Sequence, residues 1–202
     1  MSYQICSSQV VYRGRVVTLR RDEVQLTDAL TVREVVEHPG AVAVVALDDD
    51  EQVVMVKQYR HPVGRELEEL PAGLLDVEDE SALAAAKREL AEETRLQAER
   101  WDVLVDLYSS PGMSDEAVRV YLARGLSEAT NDDGFVPEHE EVSMTVHRRR
   151  LDELVTQVLA GALQNGIAVA GVLAAASARQ DGFSRLRPDD APWPAKPDRG
   201  GV

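Results

Sequence analysis

The stretch GAVAVVAL, residues 40–47, carries an unbroken apolar run behind one glycine. Side chains of a β-strand point alternately to opposite faces, so a run without alternation predicts a strand buried on both sides. A sheet holding such a strand must be covered by two layers, and the rest of the chain has to supply them. The turn DDDEQ then leads into VVMVKQYRH, which predicts a second strand paired with the first as a hairpin.

Upstream, QVVYRGRVVTLRRDEVQL and LTVREVVEH alternate or are rich in β-branched residues and predict strands separated by turns. Downstream, LEELPAGLLDVEDE carries Pro71 and Gly73 and predicts a loop, and SALAAAKRELAEETR predicts the first helix. Strand character returns in WDVLVDLYSS and AVRVYLARGL, around the loop PGMSDE, and again in VSMTVHR after the acidic NDDGFVPEHEE. Two helices follow. In RRRLDELVTQVLAGAL, Leu151, Leu154, Val155, Val158 and Leu159 fall on one face, and NGIAVAGVLAAASARQ offers small residues for close packing. Pro188, Pro192, Pro194 and Pro197 among scattered charges predict a disordered tail over residues 181–202. There are no internal repeats. The order of elements indicates an α+β fold with mixed sheets and helices outside them.

Composition narrows the partners. The chain has 202 residues and a formal net charge of -14, which argues against a nucleic-acid polymer, because no basic face is available to displace counterions. An anionic small molecule would need local help from arginine or a metal. The lone Cys6 excludes a disulfide within the chain and a cysteine-rich zinc site, and it fits a reducing compartment. The start, MSYQICSSQVVYRGR, lacks the basic end and apolar run of a secretory signal. The apolar stretch GIAVAGVLAAASA is too short to cross a bilayer of about 30 Å as a helix. A cytoplasmic protein with no membrane partner is expected.

Within the first helix, Glu89, Glu92 and Glu93 stand at (i, i+3, i+4) spacing beside Arg88, on one arc next to a stripe of Leu83, Ala86 and Leu90. Like charges so spaced cost about 0.2–0.5 kcal/mol per pair, so an isolated helix gains nothing from them. A solvated acidic face is one reading. The other is a nest of hard oxygen ligands for Mg²⁺ or Mn²⁺.

Reading outward gives Gly73, six residues, Glu80, seven residues, then Arg88-Glu89-Leu90-x-Glu92-Glu93-x-x-Leu96. This pattern resembles the Nudix box, the loop–helix–loop motif of hydrolases that split nucleoside diphosphates linked to another group. Two departures stand out. Six residues rather than the usual five separate Gly73 from Glu80, and Arg95 occupies the position where the motif has glycine. A left-handed cap there costs a non-glycine residue about 1–2 kcal/mol, so either Arg95 is strained or the helix ends differently.

The resemblance implies an α/β/α sandwich around a mixed sheet, Glu89, Glu92 and Glu93 as metal ligands, and the carbonyl of Ala72 as a further one. Arg88 is expected to hold the carboxylates in register, with Glu80 beside it. Pro111, fifteen residues after Leu96, is similar to the mark of ADP-ribose pyrophosphatases within the family. That subfamily implies hydrolysis of ADP-ribose to AMP and ribose 5-phosphate. Arg60 in QYRHP then looks like the arginine on the substrate phosphates, and Arg33, Glu34, Met113, Ser114 and Glu116 like contacts to the rest of the nucleotide sugar. The water-activating base is expected in PEHEEVSM, with Glu140 ahead of Glu141 and Glu138. His38, His61, His139 and His147 lack a metal-ligand spacing and are expected to be structural or exposed. Residues 1–37 are expected to form a dimerising β-region of a homodimer, 38–180 the hydrolase domain and 181–202 the tail. Another nucleoside diphosphate sugar or an oxidised nucleotide as substrate, or a non-catalytic ADP-ribose sensor, stays open at this point.

Overall fold

A computed structural model of the chain describes residues 3–129 and 144–197. The first three strands, β1 (Gln4–Arg13), β2 (Thr18–Leu26) and β3 (Ala29–Glu37), form an antiparallel sheet of their own. The main sheet is mixed, in the order β11-β8-β9-β4-β7, built from β4 (Ala41–Ala46), β7 (Ala72–Leu74), β8 (Leu96–Tyr108), β9 (Ala117–Glu128) and β11 (Arg187–Pro188). Its β4–β9 pair is parallel. A third sheet orders β10 (Thr145–Arg150), β5 (Gln52–Arg60) and β6 (Arg65–Glu69).

All six residues of β4 are buried, and its alternation resolves into two cores. Ala41, Ala43 and Val45 join the apolar cluster that includes Leu151, Leu154, Ala168 and Val172, from α2 (Leu151–Leu159) and α3 (Gly166–Arg179). Val42, Val44 and Ala46 join the opposite cluster with Ala85, Ala86 and Leu90 of α1 (Ala82–Thr94). The sandwich is therefore helix, sheet, helix. This is the two-sided cover that the sequence demanded.

Four expectations need correction. The hairpin of β4 with β5 does not form: both edges of β4 are taken by β9 and β7, so only a Leu47–Val53 bridge joins the two strands, and β5 turns away to pair with β6 and β10. The segment 67–80 is not all loop, because it contains the end of β6 and all of β7, bent apart at Pro71. Pro71 lacks an N–H but its carbonyl accepts from Val44 N–H at 2.9 Å. Leu159 lies at the last turn of α2 and is 80% exposed, outside the apolar face that buries Leu151 and Leu154.

The fourth concerns the tail, which is ordered over residues 181–197. Arg187 and Pro188 pair with Val103 and Asp102 of β8. Buried Arg119 explains why the chain returns. Its guanidinium pairs with Asp106 at 2.8 Å, donates to the carbonyls of Ala191 and Pro192 at 2.7 and 3.0 Å, and stands 4.8 Å from the Trp193 ring. Burial raises the proton affinity of Asp106, but bonds from Arg119 and Arg187 outweigh it and hold the carboxyl below its usual range. A proline-rich segment has few donors to satisfy, which suits a strap laid over a sheet edge.

Candidate active site

The local sequence of α1 sets the register of the site. Ser81 caps the helix, its hydroxyl accepting from Ala84 N–H at 3.1 Å, and Ala85, Ala86 and Leu90 bury the inner face. That registration turns Glu89 and Glu93, one helical turn apart, toward the β7 strand at Ala72–Gly73. A Cβ on Gly73 would lie 2.0 Å from the Glu89 carboxyl carbon, so the glutamate occupies the room that only glycine leaves. Ala72 N–H donates to Glu93 Oε2 at 3.1 Å. In an extended strand the N–H and C=O of one residue point to the same side, so the Ala72 carbonyl also faces the helix.

Arg88 ties Glu89 to two further carboxylates. It grips Glu80 with two bonds of 2.9 and 3.0 Å, and its Nη1 donates to Glu89 at 2.6 Å and to Glu92 at 3.0 Å. Bonding to Glu80, then opposed by burial and reinforced by Glu89, raises the affinity of this guanidinium for its proton well above the ordinary range. Glu89 and Glu92 thus share Arg88 Nη1, and Glu89 also lies against Gly73, next to the Ala72 N–H that Glu93 accepts from. Among the described residues, no three His, Cys, Asp or Glu side chains converge as a ready metal cage. The donors that do meet are all hard oxygens, the chemistry that suits Mg²⁺ or Mn²⁺.

Arg60 closes β5, and its Nε and Nη2 bond to Glu69 at 3.0 and 2.6 Å. Glu69 is 3% exposed and also accepts from Gln58 at 3.4 Å. Sequence reasoning missed both partners, because the pairing crosses a hairpin hidden inside a segment that looked like loop.

Arg33, Glu34, Pro111, Met113 and Ser114 line one open cavity of ≈ 470 Å³, together with Tyr108 and Asp115. Backbone bonds assemble it: Val36 N–H donates to Met113 O at 2.8 Å, and Asp115 N–H to Val36 O at 3.2 Å. The Asp115 side chain accepts from His38 N–H at 2.8 Å. The aromatic Tyr108 at the end of β8 was the detectable signal that went unread. Glu116 does not line this cavity. It is tied to Ser109 and lies 3.5 Å from the His38 ring.

Glu138, Glu140, Glu141 and His139 lie outside the described residues. His61 lies beside Tyr59 and His147 beside Glu68, each on a strand or turn away from the box glutamates. Arg95 answers the question its position raised. It ends α1 at φ 59°, ψ 29°, its N–H bonding to Ala91 O, so a left-handed cap forms despite the missing glycine.

Residues 37–163 match the NUDIX domain model. The chain is 48% identical over 196 residues to the ADP-ribose pyrophosphatase of Mycobacterium tuberculosis, covering 96% of this chain and 93% of that one. It is 37% identical to the ADP-ribose pyrophosphatase of Bacillus subtilis over 73% of this chain and 71% of the relative. The methanol dehydrogenase activator of Bacillus methanolicus is 42% identical over 63% and 69%. A solved ADP compounds hydrolase superposes with a TM-score of 0.75 at 21% identity, over 90% of this chain and 97% of that one.

Proposed function

Because the chain belongs to the Nudix family, we propose that it is a divalent-metal-dependent hydrolase converting ADP-ribose to AMP and ribose 5-phosphate. The observation that carries the reading is the delivery of two carboxylates, Glu89 and Glu93, onto the Ala72–Gly73 strand, with glycine leaving the room for one of them.

Glu89, Glu93 and the Ala72 carbonyl would hold Mg²⁺ or Mn²⁺, with Glu92 joining from its Arg88 contact. A bound divalent ion would neutralise phosphoryl charge and lower the pKa of a ligated water. The protein's own groups do the rest. Arg88 keeps the carboxylates in register by charge-assisted bonds, and Arg60 presents donors to the diphosphate. Water attacks one phosphorus, the bridging P–O bond breaks, and the proton released passes to a carboxylate, for which Glu140 is the choice and Glu141 the neighbour. Glu140→Gln is expected to lower kcat by about 10² to 10⁴ with KM within a few-fold, and Glu141→Gln to be nearly silent. A large loss at Glu141 instead would move the base by one residue.

The working unit is a homodimer. Ile5, Val10, Val11, Tyr12, Leu30 and Val32 are all more than 40% exposed on the N-terminal sheet, an apolar surface that a second copy would cover. No box glutamate lines the cavity of Arg33 and Glu34, so in this reading one protomer brings those residues to the glutamates of its partner. We place the protein in the cytoplasm, acting on a small nucleotide with neither nucleic acid nor membrane as partner. Its net charge of -14 supports the former, and among the described residues no helix is long and apolar enough to cross a membrane.

The test is a hydrolysis screen over ADP-ribose, ADP-glucose, GDP-mannose, dinucleoside polyphosphates and NADH, each with Mg²⁺ and with Mn²⁺. ADP-ribose should have the highest kcat/KM. A preference for another of these overturns the substrate, and hydrolysis unaffected by chelation overturns the metal.

A further inference from the structure

Glu69 is a nearly buried carboxylate that the chemistry above leaves without a task. Its position is unusual in two respects. The side chain bonds to Arg60 through both oxygens: Nε at 3.0 and 3.2 Å, and Nη2 at 2.6 Å. Its backbone runs through Leu70 and Pro71 into Ala72, whose N–H bonds to Glu93 at 3.1 Å. Three residues of extended chain span at most about 10 Å, so one short segment ties Arg60 to the glutamate cluster.

We propose that Glu69 is a positioning residue, which fixes the guanidinium of Arg60 for the diphosphate of the nucleotide sugar; this rests on the reading of Arg60 as the phosphate-binding arginine. The side chain of Arg60 is 41% exposed at a strand end, where a long side chain otherwise samples many rotamers. Glu69 engages the Nε–Nη2 edge of the fork and so sets the plane in which the guanidinium is presented. The rotamer entropy is lost on folding rather than on binding, which is how preorganisation gains affinity. Gln58 braces the carboxylate from the same hairpin, since Gln58 and Arg60 lie two apart on one face of β5.

Glu69→Gln keeps the volume but leaves a single acceptor oxygen, and its amide hydrogens face the donors of Arg60. The arginine should swing out. In steady-state kinetics with ADP-ribose, KM is expected to rise about tenfold with kcat within about threefold, a split that general destabilisation does not produce. Arg60→Met should raise KM by more. In the double variant, Glu69→Gln should add less than about twofold to the Arg60→Met effect, because it acts through the arginine. The double variant also leaves no orphaned buried charge, so its folding does not depend on the pair. Wild-type KM in Glu69→Gln, with KM raised in Arg60→Met, overturns the positioning role alone. Wild-type KM in both overturns the phosphate reading of Arg60 and the proposal with it.

Discussion

The glutamate cluster of α1 and the Arg33 cavity, the two ends of the proposed site, are built in opposite ways. At the first, Gly73, Glu80, Arg88, Glu89 and Glu93 come from one short stretch of chain, and helix register plus one missing Cβ aligns them. At the second, Arg33 shares a cavity with Met113 and Ser114 from beyond five intervening strands and a helix, through bonds between Val36 and the 113–115 loop. The first is braced internally, each carboxylate already bonded to Arg88 or Ala72. The second is open, on a sheet whose outer strand β1 is exposed along its whole length. In the proposed reading, chemistry is thus written where local geometry is cheap to specify, and substrate selection where a loop, a sheet and a second protomer can each be adjusted separately.

The largest effect should come from breaking the first end. Glu93→Gln removes a carboxylate proposed to bind the metal and is expected to lower kcat by about 10² to 10⁴. Gly73→Ala leaves all carboxylates present but drives its Cβ onto Glu89, whose flexible side chain must swing away. Turnover should then fall by roughly 10- to 100-fold while the thermal midpoint barely moves, since a side-chain end gives way rather than backbone. Full activity in Gly73→Ala would mean that Glu89 does not work from that place.

Breaking the second end should act on affinity. Arg33→Ala is expected to raise KM for ADP-ribose by about tenfold with kcat little changed. The proposed dimer sharpens the comparison further: sedimentation at micromolar concentration should give twice the chain mass. A fully active monomer would remove any role for Arg33 in the partner's site.

The smallest effect should be on stability alone. Arg95 holds φ 59° at the end of α1, beyond the glutamates. Arg95→Gly should stabilise by about 1 kcal/mol, the cost of that conformation for a side chain less glycine's greater entropy when unfolded. That corresponds to a rise of roughly 2–4 °C in Tm for a domain of this size, with kcat unchanged. A fall in Tm would show that the arginine's own contacts outweigh the strain.

By itself the sequence determined the elements whose signal is periodic or local. The run at 40–47 could only be a strand covered on both sides, and β4 divides its residues between two cores. The helix after Ser81 carried its cap, its apolar stripe and its glutamate spacing within a few turns, so the alignment of Glu89 with Glu93 was legible before any fold was known. Tertiary structure decided what depends on partners far along the chain. Glu69 looked like one acidic residue among several until a hairpin brought Arg60 to it, and Arg119 gave no sign that it would hold the tail. Proline and charge counts described the tail as unable to fold alone, which is a statement about the segment and not about the sheet edge awaiting it. β4 and β5 looked like neighbours because they are adjacent in sequence, yet strand edges bond only once, and β9 and β7 had already taken those of β4.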